Sequence, residues 1–352
     1  MKLGLIPQNF VEWLALKLNL VPEPLADTMV SFITARTIMV ATKLNIFEVL
    51  ATDDLTFNGV AQKCNTNPFA TLKLLNALVG IGYLKITGHR YSITQTVKKW
   101  LLKENDMSLY YKMLSNDIDW QVAENFEKFI RTGNSIDFHR DGYLSEKNWS
   151  LYQRGLRSLS SVSAKEVARK IPVPKGALNL LDIGGAHGFY SVSICRLHKN
   201  LNATILELEE AAKVSKPILD EEEMGLRVQH LPCDALKYDF EENYWDVVFL
   251  SNFIHHLDKD LNNTLINRIF KSLRSNGVLT ILEPIRPVSS KEIINARLGA
   301  IMDLFFAVSS KSGTWTIEEI TGWQLDAGFR VKKPIWIRSM PGFAMLSAVK
   351  TL

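Results

Sequence analysis

Apolar positions along this chain follow two different rhythms. Between residues 25 and 51, Met29, Phe32, Ile33, Val40, Ala41, Ile46, Phe47 and Leu50 recur at helical spacing. Shorter helices are predicted at Phe57–Lys63 and Pro68–Ile81, and Tyr83–Thr94 alternates around Gly88-His89 as a β-hairpin does. Three helices and a hairpin make the winged-helix order. Residues 105–170 predict more helices, rich in aromatic residues (Trp120, Phe126, Phe129, Phe138, Trp149, Tyr152). Most of these suit ordinary core, and the segment is placed to roof a pocket.

From residue 178 the rhythm changes. Apolar strands at Leu178–Ile183, Ala203–Leu208, Arg227–Leu231, Asp246–Ser251 and Val278–Glu283 alternate with helical stretches. Two more, Arg330–Ile337 and Phe343–Val349, flank Pro341-Gly342. This is the pattern of a doubly wound parallel sheet closed by a hairpin. The fold class is α/β: a helical winged-helix-like domain over 1–104, a helical linker over 105–170, and a Rossmann-like domain over 171–352.

Within that domain the run N-L-L-D-I-G-G-A-H-G-F-Y (Asn179–Tyr190) carries the most chemistry. A buried strand ends at Asp182, and Gly184, Gly185 and Gly188 turn it into a helix while leaving room for a ligand. Glu207 ends the next strand, where an acid accepts hydrogen bonds from a ribose diol. The loop lacks the Lys-Ser/Thr ending of a phosphate loop, and it is not a G-x-G-x-x-G fingerprint. Asp182 at its head repels a pyrophosphate but suits a cationic or amine-bearing ligand, such as a sulfonium with an amino-acid tail.

Composition narrows the classes. The 352 residues are 47% hydrophobic and 22% charged, with a net charge of +4. That charge is too small to argue for nucleic acid. The candidate reading helix, Ala70–Leu84, holds Lys73 as its one basic group, so a DNA-binding wing is set aside. Its apolar character, and the amphipathic start at Phe10, Val11, Leu14 and Leu18, point instead to packing against a second subunit. Cys64, Cys195 and Cys233 form no C-x-x-C and read as reduced thiols of a cytoplasmic protein. Gln8, Asn9 and Glu12 break up the N-terminal apolar stretch, so no signal peptide is expected, and no run of 18 uninterrupted apolar residues occurs, so no membrane span is expected. The 7 histidines make no H-x-x-x-H pair, and no metal is expected.

The ordered motifs resemble the S-adenosylmethionine-dependent O-methyltransferases of the plant caffeate and acetylserotonin type and their bacterial relatives, over nearly the whole length. The resemblance implies a class I methyltransferase sheet of seven strands, the last inserted antiparallel, and a homodimer formed through the N-terminal domain. It implies S-adenosylmethionine as cofactor, held by the glycine loop, Glu207, Asp234 and Ala235 (in C-D-A-L), and Ser251, with Ser160 lent to its carboxylate. It makes His255, in S-N-F-I-H-H-L-D, the catalytic histidine and Glu283, in G-V-L-T-I-L-E-P, its partner. Leu156 belongs to the substrate wall. Met302, Phe305 and Phe306 on a helix at Ile293–Val308, together with Trp315, suit a small apolar or aromatic acceptor.

Three positions depart from the family. Ala186 replaces a glycine, which is tolerated if its backbone angle is ordinary. His256 stands where an Asp commonly follows the catalytic His. Thr314-Trp315-Thr316 stands where a second glutamate is expected, which leaves Glu283 to support the histidine alone. The leading expectation is transfer of a methyl group to a hydroxyl oxygen of a small molecule, with His255 as general base. C-methylation, non-canonical use of the cofactor (decarboxylation, hydroxylation, pericyclic chemistry) and a ligand-sensing regulator are the alternatives.

Overall fold

A computed structural model describes residues 5–136, 144–295, 297–310 and 312–351. Phe138 of the expected aromatic linker lies outside these. The chain divides into two compact units, Met1–Asn116 and Asp117–Leu352, where the sequence suggested three segments.

In the first unit, helices Ser31–Lys43, Ile46–Thr52, Phe57–Lys63 and Pro68–Gly80 precede a hairpin of β1 (Leu84–Thr87) and β2 (Arg90–Ile93). The helix at Pro68 starts because Asn67 accepts the amide of Ala70 and proline takes the first turn, where its missing N–H costs nothing. Ala41, Phe47, Leu50, Leu75, Leu78 and Tyr91 meet in one core. The unit also leaves Phe10, Val11, Leu18, Met29, Phe32 and Ile33 exposed. Glu23–Lys43 is helical throughout, 21 residues that by length and composition suffice to cross a membrane. The sequence reading had no such stretch, because Asp27 and Arg36 interrupt the apolar run while leaving its average high.

The second unit is built on eight strands: β3 (Asn179–Ile183), β4 (Asn202–Glu207), β5 (Val228–Pro232), β6 (Trp245–Ser251), β7 (Leu273–Pro284), β8 (Phe329–Val331), β9 (Ile335–Trp336) and β10 (Phe343–Lys350). Their order is β5-β4-β3-β6-β7-β10-β8, with β9 also on β10. The first five are parallel and β10 is inserted antiparallel beside β7. The strand expected at Arg330–Ile337 is split into β8 and β9. Pro334 between them has no N–H to give the ladder. Strand order reverses between β3 and β6, so the crevice of an open α/β sheet lies at their carboxyl ends.

Both faces of the sheet are covered. Leu181, Ile183, Val248, Leu250, Ile266 and Leu279 pack on one side; Leu180, Ile194, Ile205, Val247 and Phe249 pack on the other. The expected linker belongs to this unit from Asp117 onward, its first helix (Tyr110–Ala123) starting in the first unit. Ile118, Val122 and Trp149 pack with Ala211 and Val308, and Ile136 N–H donates to the Val308 carbonyl at 2.9 Å.

Candidate active site

The loop after β3 is built around close packing. An added Cβ at Gly185 would lie 2.5 Å from the Asp182 carboxyl carbon and 2.8 Å from Ile205, one at Gly188 would lie 2.5 Å from Ile205, and one at Gly184 would strike the Phe253 ring. Gly184 and Gly188 also have positive φ, +68° and +74°. The glycines are therefore required by the protein's own side chains as well as by any ligand above them. Ala186 shares this turn with φ +50°, a left-handed angle rather than the ordinary one anticipated. For an L-residue that angle costs about 1–2 kcal/mol.

Glu207, half-buried at the end of β4, accepts the Ala186 N–H at 2.9 Å through Oε2 and its neighbour Leu208 N–H at 2.8 Å through Oε1. Burial pushes its carboxyl up to about 6, against the pull of those two hydrogen bonds. Asp182 differs from expectation. It is 1% exposed, sealed beneath Gly185, with Ser191 Oγ donating to Oδ2 at 2.6 Å. Its other oxygen is buried with no partner among the described residues. Burial, and the nearby charge of Glu207, push it up to about 7.

Asp234 follows β5, half-buried, and accepts the Leu236 N–H at 3.0 Å. The Ala235 methyl is packed in the core, so its backbone is what remains to face the crevice. Ser251 ends β6 and accepts from Asn252 at 3.1 Å. Ser160 is buried at the end of the helix Glu146–Ser160, and its hydroxyl donates to the Arg157 carbonyl at 2.9 Å, so to serve a ligand carboxylate it must give up that bond. Leu156 is half-buried one turn earlier.

At the next strand ends, His255 and Glu283 are brought together, each 1% exposed. His255 Nδ1 lies 2.7 Å from Glu283 Oε2. Glu283 Oε1 accepts the N–H groups of Phe253 at 2.6 Å and Ile254 at 2.9 Å, so one carboxylate orients the ring and satisfies the turn that carries it. With Glu283 ionised, the proton sits on Nδ1 and Nε2 is left as an acceptor. Nε2 has no hydrogen-bond partner among the described residues. Phe306 stacks against the His255 ring at 4.0 Å, and Ser310 Oγ donates to the His255 carbonyl at 3.0 Å. An imidazole held by a carboxylate on one nitrogen and free on the other can take a proton from a hydroxyl.

The helix expected at Ile293–Val308 is described as Ser290–Asn295 and Arg297–Ser309. Met302, Phe305 and Phe306 are all half-buried on the second piece. Trp315 is 9% exposed, packed in the core against Trp323, and its Nε1–H donates to the Ile254 carbonyl at 3.0 Å, in the turn that carries His255. Thr314 beside it is 1% exposed, and its N–H and hydroxyl both donate to Asp303 Oδ1, at 2.7 and 2.6 Å. A carboxylate from another helix thus occupies the corner where Thr314 replaces a glutamate.

Sequence reasoning missed Asp303, and it missed His230 on β5, whose Nε2–H donates to the Ala186 carbonyl at 2.7 Å. Neither stands in a motif, and no periodic signal separates His230 from its strand neighbours. Among the described residues no group of His, Cys, Asp or Glu is arranged to hold a metal, and all 3 cysteines are free.

The O-methyltransferase domain matches residues 113–330, and the O-methyltransferase dimerisation domain matches residues 26–103. Similar proteins include 3-hydroxy-5-methyl-1-naphthoate 3-O-methyltransferase of Streptomyces sahachiroi, 22% identical over 94% of this chain and 95% of that one. The mitomycin biosynthesis 6-O-methyltransferase of Streptomyces lavendulae is 23% identical over 75% of this chain and 78% of its own. Among solved structures, human N-acetylserotonin methyltransferase in complex with S-adenosylmethionine has the same fold, with a TM-score of 0.81 at 18% identity, over 93% of this chain and 97% of that one. With more than half its length matched by the first of these domains, the chain belongs to the family of S-adenosylmethionine-dependent O-methyltransferases.

Proposed function

We propose that the protein methylates a hydroxyl oxygen of a small aromatic or apolar metabolite, with His255 as general base and Glu283 as its orienting partner. The observation that carries this reading is the buried pair at 2.7 Å, with Nε2 of the imidazole left without a hydrogen-bond partner among the described residues. Relatives that act on naphthoate and mitomycin scaffolds support the class of acceptor. The match to the dimerisation domain supports a homodimer that covers the exposed apolar residues of the first unit.

The residues present fit the cofactor. Glu207 offers a carboxylate to a ribose diol, Asp234 lies after the neighbouring strand for the adenine, and Asp182, sealed beneath Gly185, supports the loop between them from below. When bound, S-adenosylmethionine would supply a methyl group on a positively charged sulfonium, which leaves as the neutral thioether of S-adenosylhomocysteine. This chain's residues do the rest. The half-buried Phe306 ring beside the imidazole, with Phe305 edge-on to it, positions the acceptor, and positioning contributes most of the rate. As the oxygen attacks, its proton passes to His255 Nε2, and the imidazolium is stabilised by Glu283 through Nδ1–H.

The test is transfer of labelled methyl from the cofactor to a panel of phenols, hydroxyquinones and enols, with wild type beside His255→Ala. Transfer that falls by about 10² or more in the variant supports the base. Transfer unchanged by the substitution refutes it. A second reading is favoured by Thr314, which removes one carboxylate from the histidine's surroundings: use of the cofactor without O-methylation. Tight binding of S-adenosylhomocysteine with no transfer to any acceptor selects it.

A further inference from the structure

Ala186 is a strained residue whose two polar backbone atoms are both tied down. Its N–H goes to Glu207 Oε2 at 2.9 Å and its carbonyl accepts from His230 Nε2 at 2.7 Å. His230 pairs across the sheet with Ile205, the residue that packs beneath Gly185 and Gly188. Two neighbouring side chains on β4 and β5 thus support the loop from below, Ile205 by packing and His230 by a hydrogen bond. Desolvation pushes the His230 imidazole below its ordinary range, so it is neutral near pH 7 with its proton on Nε2. Nδ1 is buried without a partner, so the ring's one hydrogen bond is the one to the loop.

We propose that His230 is a positioning residue for the cofactor crevice: by holding the Ala186 carbonyl it keeps the loop in its left-handed turn and so fixes where Glu207 lies. The proposal rests on the reading of this crevice as the S-adenosylmethionine site. Without the donor, the alanine has less to offset its strained angle. Relaxation then carries the Ala186 N–H away from Glu207 Oε2, and the carboxylate loses the bond that aims it. A glycine at 186 adopts positive φ without strain and should need the tie much less.

Calorimetric titration of the full-length protein with S-adenosylhomocysteine tests this on wild type, His230→Leu, His230→Phe, His230→Gln, Ala186→Gly and the His230→Leu/Ala186→Gly double variant, with thermal melts alongside. His230→Leu should bind roughly tenfold more weakly, while His230→Gln, which keeps an N–H donor, should stay within roughly threefold of wild type. In the Ala186→Gly background the loss should shrink to roughly threefold or less. His230→Phe, aromatic but without a donor, should behave as His230→Leu does. Wild-type affinity in the Leu and Phe variants, or an equal loss in both backgrounds, overturns the proposal. Failure of the wild type to bind at all overturns the crevice reading itself, and this role with it.

Discussion

Replacing Glu283 tests the site most sharply, because one carboxylate accepts three hydrogen bonds of two kinds. In Glu283→Gln the amide oxygen can keep the bonds from Phe253 and Ile254, now 2.6 and 2.9 Å long. The amide NH2 then faces His255 Nδ1, where a carboxylate oxygen lay at 2.7 Å. Two donors cannot share that contact, so the imidazole proton shifts to Nε2 and the free acceptor is lost. Folding should suffer by only about 1 kcal/mol, the difference between a charged and a neutral acceptor. kcat for methyl transfer should fall by about 10²–10⁴ with S-adenosylhomocysteine affinity unchanged. The residual rate should climb with pH along the acceptor's own ionisation. Glu283→Ala behaves differently, since it strands two buried N–H groups at about 1–3 kcal/mol each, so it should lose about 2–6 kcal/mol of stability as well. The assays are labelled methyl transfer, calorimetry and thermal melting on the three proteins. A Gln variant that keeps at least a third of the wild-type rate, with its fold intact, refutes the tautomer argument.

Two further predictions concern buried groups nearby. Thr314→Glu, which restores the residue the family carries, should destabilise by about 2–4 kcal/mol in chemical denaturation, because it sets a second carboxylate against Asp303 in a corner where Thr314 is 1% exposed; an unchanged midpoint would mean that this corner is open. Asp182 is raised from 3.8 to about 7 on folding, so the folded state holds its proton across that interval. Its contribution to stability should then fall as pH climbs from about 4 to 7 and stay level above, by up to about 4 kcal/mol. Denaturation of wild type and Asp182→Asn across that range should show wild type losing ground to the non-titrating amide variant as pH rises, and a difference that is flat would refute the buried, protonated carboxyl.

Strand ends were the legible part of this molecule. Asp182, Glu207, Ser251 and Glu283 could be placed in advance because each closes an apolar run of the length a buried parallel strand needs, and a strand of known direction fixes which end faces the crevice. The split of Arg330–Ile337 into two strands was readable in principle from Pro334. The left-handed angle at Ala186 was not. Backbone angles of non-glycine residues follow from what pulls on the peptide, here an acid and an imidazole from two other strands. The hydrogen bond from Trp315 to the Ile254 carbonyl was not legible either, because an aromatic residue near a site looks the same in sequence whether it faces a ligand or supports a turn.

The departures from the family pattern are better understood as coupled to distant residues than as isolated losses. Ala186, where glycine was expected, is held by His230 on β5, two strands away from the strand its loop leaves, and Thr314, where glutamate was expected, is held by Asp303 on the helix that also carries Phe306 beside His255. In both cases the replacement changes which backbone or carboxylate group needs a partner, and the partner comes from an element far away in sequence. Single substitutions back toward the family pattern should therefore expose the partner rather than repair the site. Thr314→Glu meets Asp303, and Ala186→Gly leaves His230 holding a carbonyl that no longer needs it. The acceptor pocket follows the same logic. With Asp303 Oδ1 taken by Thr314, the rings beside His255 are those of Phe306 at 4.0 Å and His256 at 4.2 Å, surroundings that fit the aromatic or apolar acceptor proposed above.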